Sequence, residues 1–226
     1  MKLLVVIVFL GVSAAGNAIA HENLSIRYIK GSSGKPNEMH AQGTIKASPE
    51  KVWDAIVRLN DWSSFMPRMP ASFYITDEGI SAIQTAGTRE ANLLKKVSEK
   101  YRTEVPRQSG GLWQGAVFQI VSTPFPVKNR WFVLRYTNDE TLAGRQIFKQ
   151  CWEMIAANVD FVRGCFLVQS DEKSGHSLVY YEEIVDLGGH VPNWVTKIGV
   201  KSTTPDVFKN LEKEAGKASH ETDPKD

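Results

Sequence analysis

Little in this chain has the pattern of a metal site or a catalytic motif. Only two cysteines occur, Cys151 and Cys165, too few for a paired-cysteine zinc site. The five histidines, His21, His40, His176, His190 and His220, are scattered with no metal-ligand spacing. No nucleophile elbow and no Gly-rich phosphate loop is present. Charge of neither sign dominates: 27 basic residues face 25 acidic ones. That near-neutrality argues against nucleic acid as the main partner. No repeat or low-complexity linker divides the chain, so a single domain with a sizeable core is expected.

The first twenty residues stand apart. Lys2 is a short positive start, residues 3–12 are apolar, and Ala18-Ile19-Ala20 has the small-residue pattern of a cleavage site before His21. Residues 1–20 therefore read as a secretory signal peptide, with an uncleaved membrane anchor as the alternative. Export, to a bacterial periplasm or beyond the cell, is the expected localisation. Residues 215–226 are polar and contain Pro224. They are expected to form a flexible tail, leaving 21–214 as the folded domain.

Along that domain, residues 24–29 suit a strand or a helical turn, and 39–47 alternate loosely as a strand. Ser48-Pro49-Glu50 is a helix start, with Ser as N-cap and Pro in the first turn. Val52, Ile56 and Leu59 form the apolar side of that helix. The segment 62–70, with Trp62, Phe65, Met66 and Met69 among prolines, fits no regular element. A polar helix is expected over 88–102. Strands are expected at 112–122, 130–137, 145–155, 161–170 and 178–186, and a long last helix over 192–211, interrupted near 202–205. Runs of strands with segregated helices indicate an α+β fold.

An exported chain meets an oxidising compartment, where a disulfide is allowed. If Ile155 pairs with Phe161, a five-residue loop closes a hairpin. Cys151 then falls opposite Cys165, and Glu153 opposite Arg163. A non-hydrogen-bonded antiparallel pair is close enough to bridge, and the opposite charges favour the same register. The alternative is two unpaired thiols.

Three passages share a likeness. They are I-K-A-S-P-E-K-V-W-D-A-I (45–56), T-P-F-P-V-K-N-R-W-F-V-L-R (123–135) and D-L-G-G-H-V-P-N-W-V (186–195). In this order and spacing the chain resembles the START (StAR-related lipid transfer) domain family of the START-like, SRPBCC helix-grip superfamily. The resemblance implies a curved antiparallel β-sheet wrapped around a long C-terminal helix, with a lipid-sized cavity between them. It departs from the family after Arg130, where Trp131 replaces an acid. Gly188-Gly189 permits the sharp turn into the helix. Trp194, Val195, Ile198, Val200, Val207, Phe208 and Leu211 can supply its apolar face.

What the resemblance implies for function is non-covalent binding, and transfer, of a lipid or other hydrophobic molecule, with no cofactor, no metal and no catalysis. Arg135 matches a family arginine that lies inside the cavity of sterol binders beside an acid. Residues 112–122 hold no acid here, so Glu153 or Glu182 supplies the charge, an anionic headgroup completes it, or Arg135 faces solvent. The expected ligand contacts are Arg135, Trp131, Glu153, Tyr180, Trp194 and Ile198. The cavity mouth is expected at 122–129 and 201–205. The 88–102 helix is either a lid docking on anionic membrane surfaces through Lys95, Lys96, Lys100 and Arg102, or a solvated charged face. A monomer is expected. The competing reading is a polyketide cyclase- or hydrolase-like enzyme in the same cavity, since fold alone does not exclude catalysis.

Overall fold

The computed structural model describes residues 23–31, 36–123, 127–188, 191 and 193–217, with 193–201 described by backbone alone. Eight strands form one antiparallel sheet in the order β1-β2-β8-β7-β6-β5-β4-β3. They are β1 (Ser25–Ile29), β2 (Asn37–Ile45), β3 (Ala71–Ile75), β4 (Leu112–Val121), β5 (Arg130–Asp139), β6 (Ile147–Ala157), β7 (Phe161–Ser170) and β8 (Ser177–Asp186). Helices α1 (Pro49–Val57), α2 (Trp62–Phe65), α3 (Asp77–Thr85) and α4 (Ala91–Ser98) precede the long strand run, and α5 (Asn193–Lys217) follows it. This is the expected α+β helix-grip architecture.

Alternation drives the strands. In β2 every second residue from Asn37 to Ile45 is buried, and in β7 Val162, Gly164, Phe166 and Val168 are the buried set. These inward positions meet the helices. Trp53 and Ile56 of α1 and Phe208 and Leu211 of α5 are almost fully buried in the main core with Trp62, Tyr136 and Val179. A Cβ at Gly43 would stand 3.0 Å from the Phe208 ring, so β2 carries a glycine where α5 presses closest.

The opposite face of the sheet has its own core at the β3-β4-β5 end. Ala71, Phe73, Ile75, Ala116, Phe118, Ile120, Trp131 and Val133 pack there against Ile80 and Ile83 of α3 and Leu94 of α4. Neither β3 nor α3 is among the expected elements. Thr76 starts α3 by accepting a hydrogen bond from the Gly79 amide at 3.3 Å. Ser48 caps α1 by position but makes no side-chain cap bond. The 88–102 helix narrows to α4 plus a 3₁₀ turn at Glu99–Tyr101. It covers the outer core and is no lid over the inner face.

The β6–β7 register is the expected one, Cys151 opposite Cys165 and Glu153 opposite Arg163. The two sulfurs are bonded, with Cα atoms 4.0 Å apart. β6 starts later than expected because Ala143–Arg145 form a 3₁₀ turn and Gln146 is left-handed. It runs on to Ala157 through a bulge opposite Val133 and Leu134. α5 is continuous through Pro205 to Lys217. The expected interruption is absent, and Ala215 of the expected tail is helical and buried.

Candidate functional site

Between the concave sheet and the helices lies a cavity of about 200 Å³. Its wall is mostly apolar and aromatic: Trp62, Met66, Phe132, Leu134, Trp152 and Phe166 are typical. Both expected mouth segments reach it. Ser122 and Thr123 come from the first, and Thr203 and Thr204 from the second.

The strand registers build its inner wall. One transverse row runs through Tyr136, Trp152, Gly164, Glu183 and Met39 on β5, β6, β7, β8 and β2. Gly164 is a slot in that row. A Cβ there would overlap both the Trp152 ring and the Glu182 carbonyl oxygen. The indole therefore lies across β7 and meets Tyr181 of β8, centroid to centroid, at 6.0 Å. Phe166 stacks on Tyr181 at 4.5 Å, and Tyr136 stands 5.7 Å from Trp152.

Polar groups in this wall are few. The Tyr136 hydroxyl donates to Gln119 Oε1 at 3.2 Å, Gln119 Nε2 donates to Ser72 Oγ at 3.2 Å, and Ser72 donates to the Leu59 carbonyl at 2.6 Å. The relay ends on backbone, so it is satisfied at its far end. Glu183 is the only acid in the described lining. Burial pushes its carboxyl above the usual range, and a hydrogen bond from Tyr181 opposes this only in part. Burial also drives the phenols of Tyr181 and Tyr136 well up. Arg68 and Arg130 belong to the same lining. Burial lowers Arg130 against the pull of Asp160, and its Nε has no partner among the described residues.

Four of the six expected contacts fall outside this lining. Inward positions of β5 are Phe132, Leu134 and Tyr136, so Arg135, one residue out of phase, points to the opposite face. There it sits opposite Ala116 on one side and Glu153 on the other. Trp131 belongs to the outer core and donates from Nε1 to the Arg89 carbonyl at 3.0 Å. Glu153 is exposed. Tyr180 is opposite Gln42 and Leu167, out of phase with the inward Tyr181. Trp194 and Ile198 lie outside the described side chains. Sequence reasoning missed Glu183, Tyr181, Trp152 and Tyr136. Among the described residues no cluster of His, Cys, Asp or Glu could hold a metal ion, and no helix is long and apolar enough to cross a membrane.

No family model matches the chain, and no curated protein matches it by sequence. Solved structures do match in shape. The STAR-related lipid transfer protein from Xanthomonas axonopodis is 18% identical, with a TM-score of 0.59, over 88% of this chain and 96% of that one. Human StAR-related lipid transfer protein 5 is 10% identical, with a TM-score of 0.62, over 89% and 86%. The ZhuI aromatase/cyclase from Streptomyces sp. R1128 is 10% identical, with a TM-score of 0.52, over 86% and 96%. The chain thus has the START-like helix-grip fold, shared by proteins named for lipid transfer and by an aromatase/cyclase.

Proposed function

We propose that this protein binds a small hydrophobic molecule non-covalently in the cavity beneath α5 and carries it. The observation that carries this reading is a cavity of about 200 Å³ between the sheet and the helices, with a mainly aromatic and aliphatic wall. Removing apolar ligand surface from water supplies the driving force, at ~25 cal/mol per Å². The volume is below the ~300–1,000 Å³ of sites for drug-sized ligands. A small single-chain or ring ligand fits as the wall stands, and a two-chain lipid requires the mouth to open.

The mouth has a built-in weak point. Pro205 lies inside α5 beside Thr203 and Thr204 of the cavity wall. Proline has no N–H for the carbonyl four residues back and clashes with it. Bending there lets α5 lift while its C-terminal half stays anchored. Asn210 donates to the Phe65 carbonyl at 2.6 Å, and Arg58 pairs with Glu214 at 2.9 Å. We further propose export, with residues 1–20 removed as a signal peptide, and passing contact with a membrane surface during loading.

A second reading is favoured by Glu183 alone. A carboxyl whose pKa burial pushes upward can act as a general acid, as in a cyclase. Tyr181 and Tyr136, with phenols driven upward, are poor bases beside it, and non-catalytic binding is the better account. The test is native mass spectrometry of the chain from His21 onward, followed by organic extraction. A stoichiometric hydrophobic molecule supports a carrier. A protein that stays empty and takes up nothing from a mixed lipid panel refutes it.

A further inference from the structure

The cavity carries an acid where a binder of plain hydrocarbon needs none. Glu183 faces inward from the middle of the sheet and makes no ion pair among the described residues. The groups around it come from every packed strand. Met39 lies beside it on β2 and Gly164 on β7, Trp152 and Tyr136 follow along the same row, and Tyr181 is two residues away on its own strand. From α5 the described wall adds Thr203, Thr204 and Val207. The cations of the lining, Arg68 and Arg130, are not among the causes of the Glu183 shift.

Resting on the carrier reading above, we propose that the inner end of this cavity receives the cationic amine of an otherwise apolar ligand, with Glu183 as its counter-ion and Trp152, Tyr181 and Tyr136 as its aromatic surround. Three observations converge on a cation. A carboxylate enclosed without a positive partner is costly, and a bound ammonium removes that cost. Aromatic rings attract a cation toward their faces, and Trp152, Tyr181 and Tyr136 all belong to the same lining as Glu183. Gly164 is what lets the Trp152 indole reach across β7 toward Tyr181 and the Glu183 side of the wall. An anionic headgroup at the same place would meet a carboxyl and the negative faces of rings.

The test uses three probes of equal chain length, decylamine, decanol and decanoate, titrated calorimetrically into the full mature protein. A hydrogen-bonded charge is worth ~1.5–3 kcal/mol, so the amine should bind about tenfold or more tightly than the alcohol, with the acid weakest. At mildly acidic pH, amine binding should release a proton from Glu183, seen as a dependence of the heat on buffer ionisation. Alcohol binding should not. In Glu183→Gln the amine-to-alcohol affinity ratio should fall to within about twofold of unity, with melting curves confirming the fold. If decanol equals the amine, or decanoate is tightest, this inference is overturned while the carrier reading stands. Binding of none of the three overturns both. Proton release in the wild type keeps the inference testable even if the variant does not fold.

Discussion

Removing the Glu140 carboxylate should unfasten the closed end of the grip. Glu140 follows β5 and is 1% exposed. Its Oε1 accepts hydrogen bonds from Trp53 Nε1 of α1 and from Arg107 Nε, both at 2.6 Å, and its Oε2 accepts from the Gly110 amide at 3.2 Å. Arg107 also pairs with Asp54 of α1. One carboxylate therefore ties the first helix and the loop leading into β4 to the end of β5. In Glu140→Ala the buried Trp53 donor loses its partner, at ~1–3 kcal/mol. The Arg107 side chain is 38% exposed and keeps Asp54, so its loss is discounted to ~1 kcal/mol rather than the full cost of a stranded buried charge. The total is about 3 kcal/mol. With a urea slope of ~2 kcal/mol/M, the midpoint should fall by about 1.5 M. Glu140→Gln keeps an acceptor and should lose about half of that. Asp54→Ala, at the more exposed partner, should lose under ~1 kcal/mol.

The pH dependence gives a second readout. Burial pushes the Glu140 carboxyl up, but hydrogen bonds from Arg107, Trp53 and Gly110 together hold it below the usual range. A carboxyl lowered on folding stabilises above its unfolded pKa, and that stabilisation is lost as pH falls through the folded value. Wild type should therefore lose more stability on acidification than Glu140→Gln. An Ala variant within ~0.5 kcal/mol of wild type, or no worse than Asp54→Ala, would show that the latch contributes nothing and refute the reasoning.

Other substitutions probe the cavity wall and its gate. Gly164→Ala should destabilise by ~1–3 kcal/mol through overpacking, because its Cβ meets both the Trp152 ring and a backbone oxygen. Gly144→Ala, with nothing within 4 Å of the added atom, should be neutral or slightly stabilising in the same urea titration. Replacing Cys151 and Cys165 together by serine opens a link spanning a sequence separation of 14 and should lower stability by ~3 kcal/mol on loop-entropy reasoning. Reductant should produce the same midpoint in the wild type. Pro205→Ala should add ~1–3 kcal/mol by restoring a helix hydrogen bond and should slow release of a bound fluorescent lipid probe in stopped flow; unchanged release would remove Pro205 from the gate.

Most of the strands, the last helix and the disulfide register were legible because each carries a local signal. Alternation marks β2 and β7, a charge pair and two cysteines set the hairpin, and Val207, Phe208 and Leu211 mark α5, where Thr203, Thr204 and Pro205 suggest a break the helix does not show. Which face of β5 looks into the cavity was not legible. Trp131, Phe132, Val133 and Leu134 are all buried, since α3 and α4 cover the outer face as α1, α2 and α5 face the inner one. A strand buried on both sides reads as one apolar run with no phase. With α3 missed and no phase to read in β5, only the family resemblance points Arg135 inward, and a solvent-facing Arg135 stays open. The signal existed in Thr76-Asp77-Glu78, a cap followed by acids, with Ile80 and Ile83 three apart. In β8 the run Tyr180-Tyr181-Glu182-Glu183 offers either phase. Only the register decides it, by setting Glu183 opposite Gly164 and Met39 and Glu182 opposite Cys165 and His40.

That one-residue phase changes the chemistry proposed for the protein. With Arg135 inside, the cavity would favour an anion deep in the sheet. With Glu183 inside and Arg68 and Arg130 also in the lining, the described wall carries both signs, and the acid is the group flanked by aromatic rings. The outward residues Arg135, Glu153 and Arg163 line up across three strands instead. At such partly exposed positions a cross-strand charge array adds ~0.2–1 kcal/mol per pair to sheet register and contributes nothing to ligand choice. Selectivity must then come from the few inward polar groups. Of these, Gln119, Ser72 and Tyr136 already satisfy one another down to the Leu59 carbonyl. Glu183 is the acid of the described lining and has no ion pair among the described residues, so its ionisation is the first property a bound ligand should change.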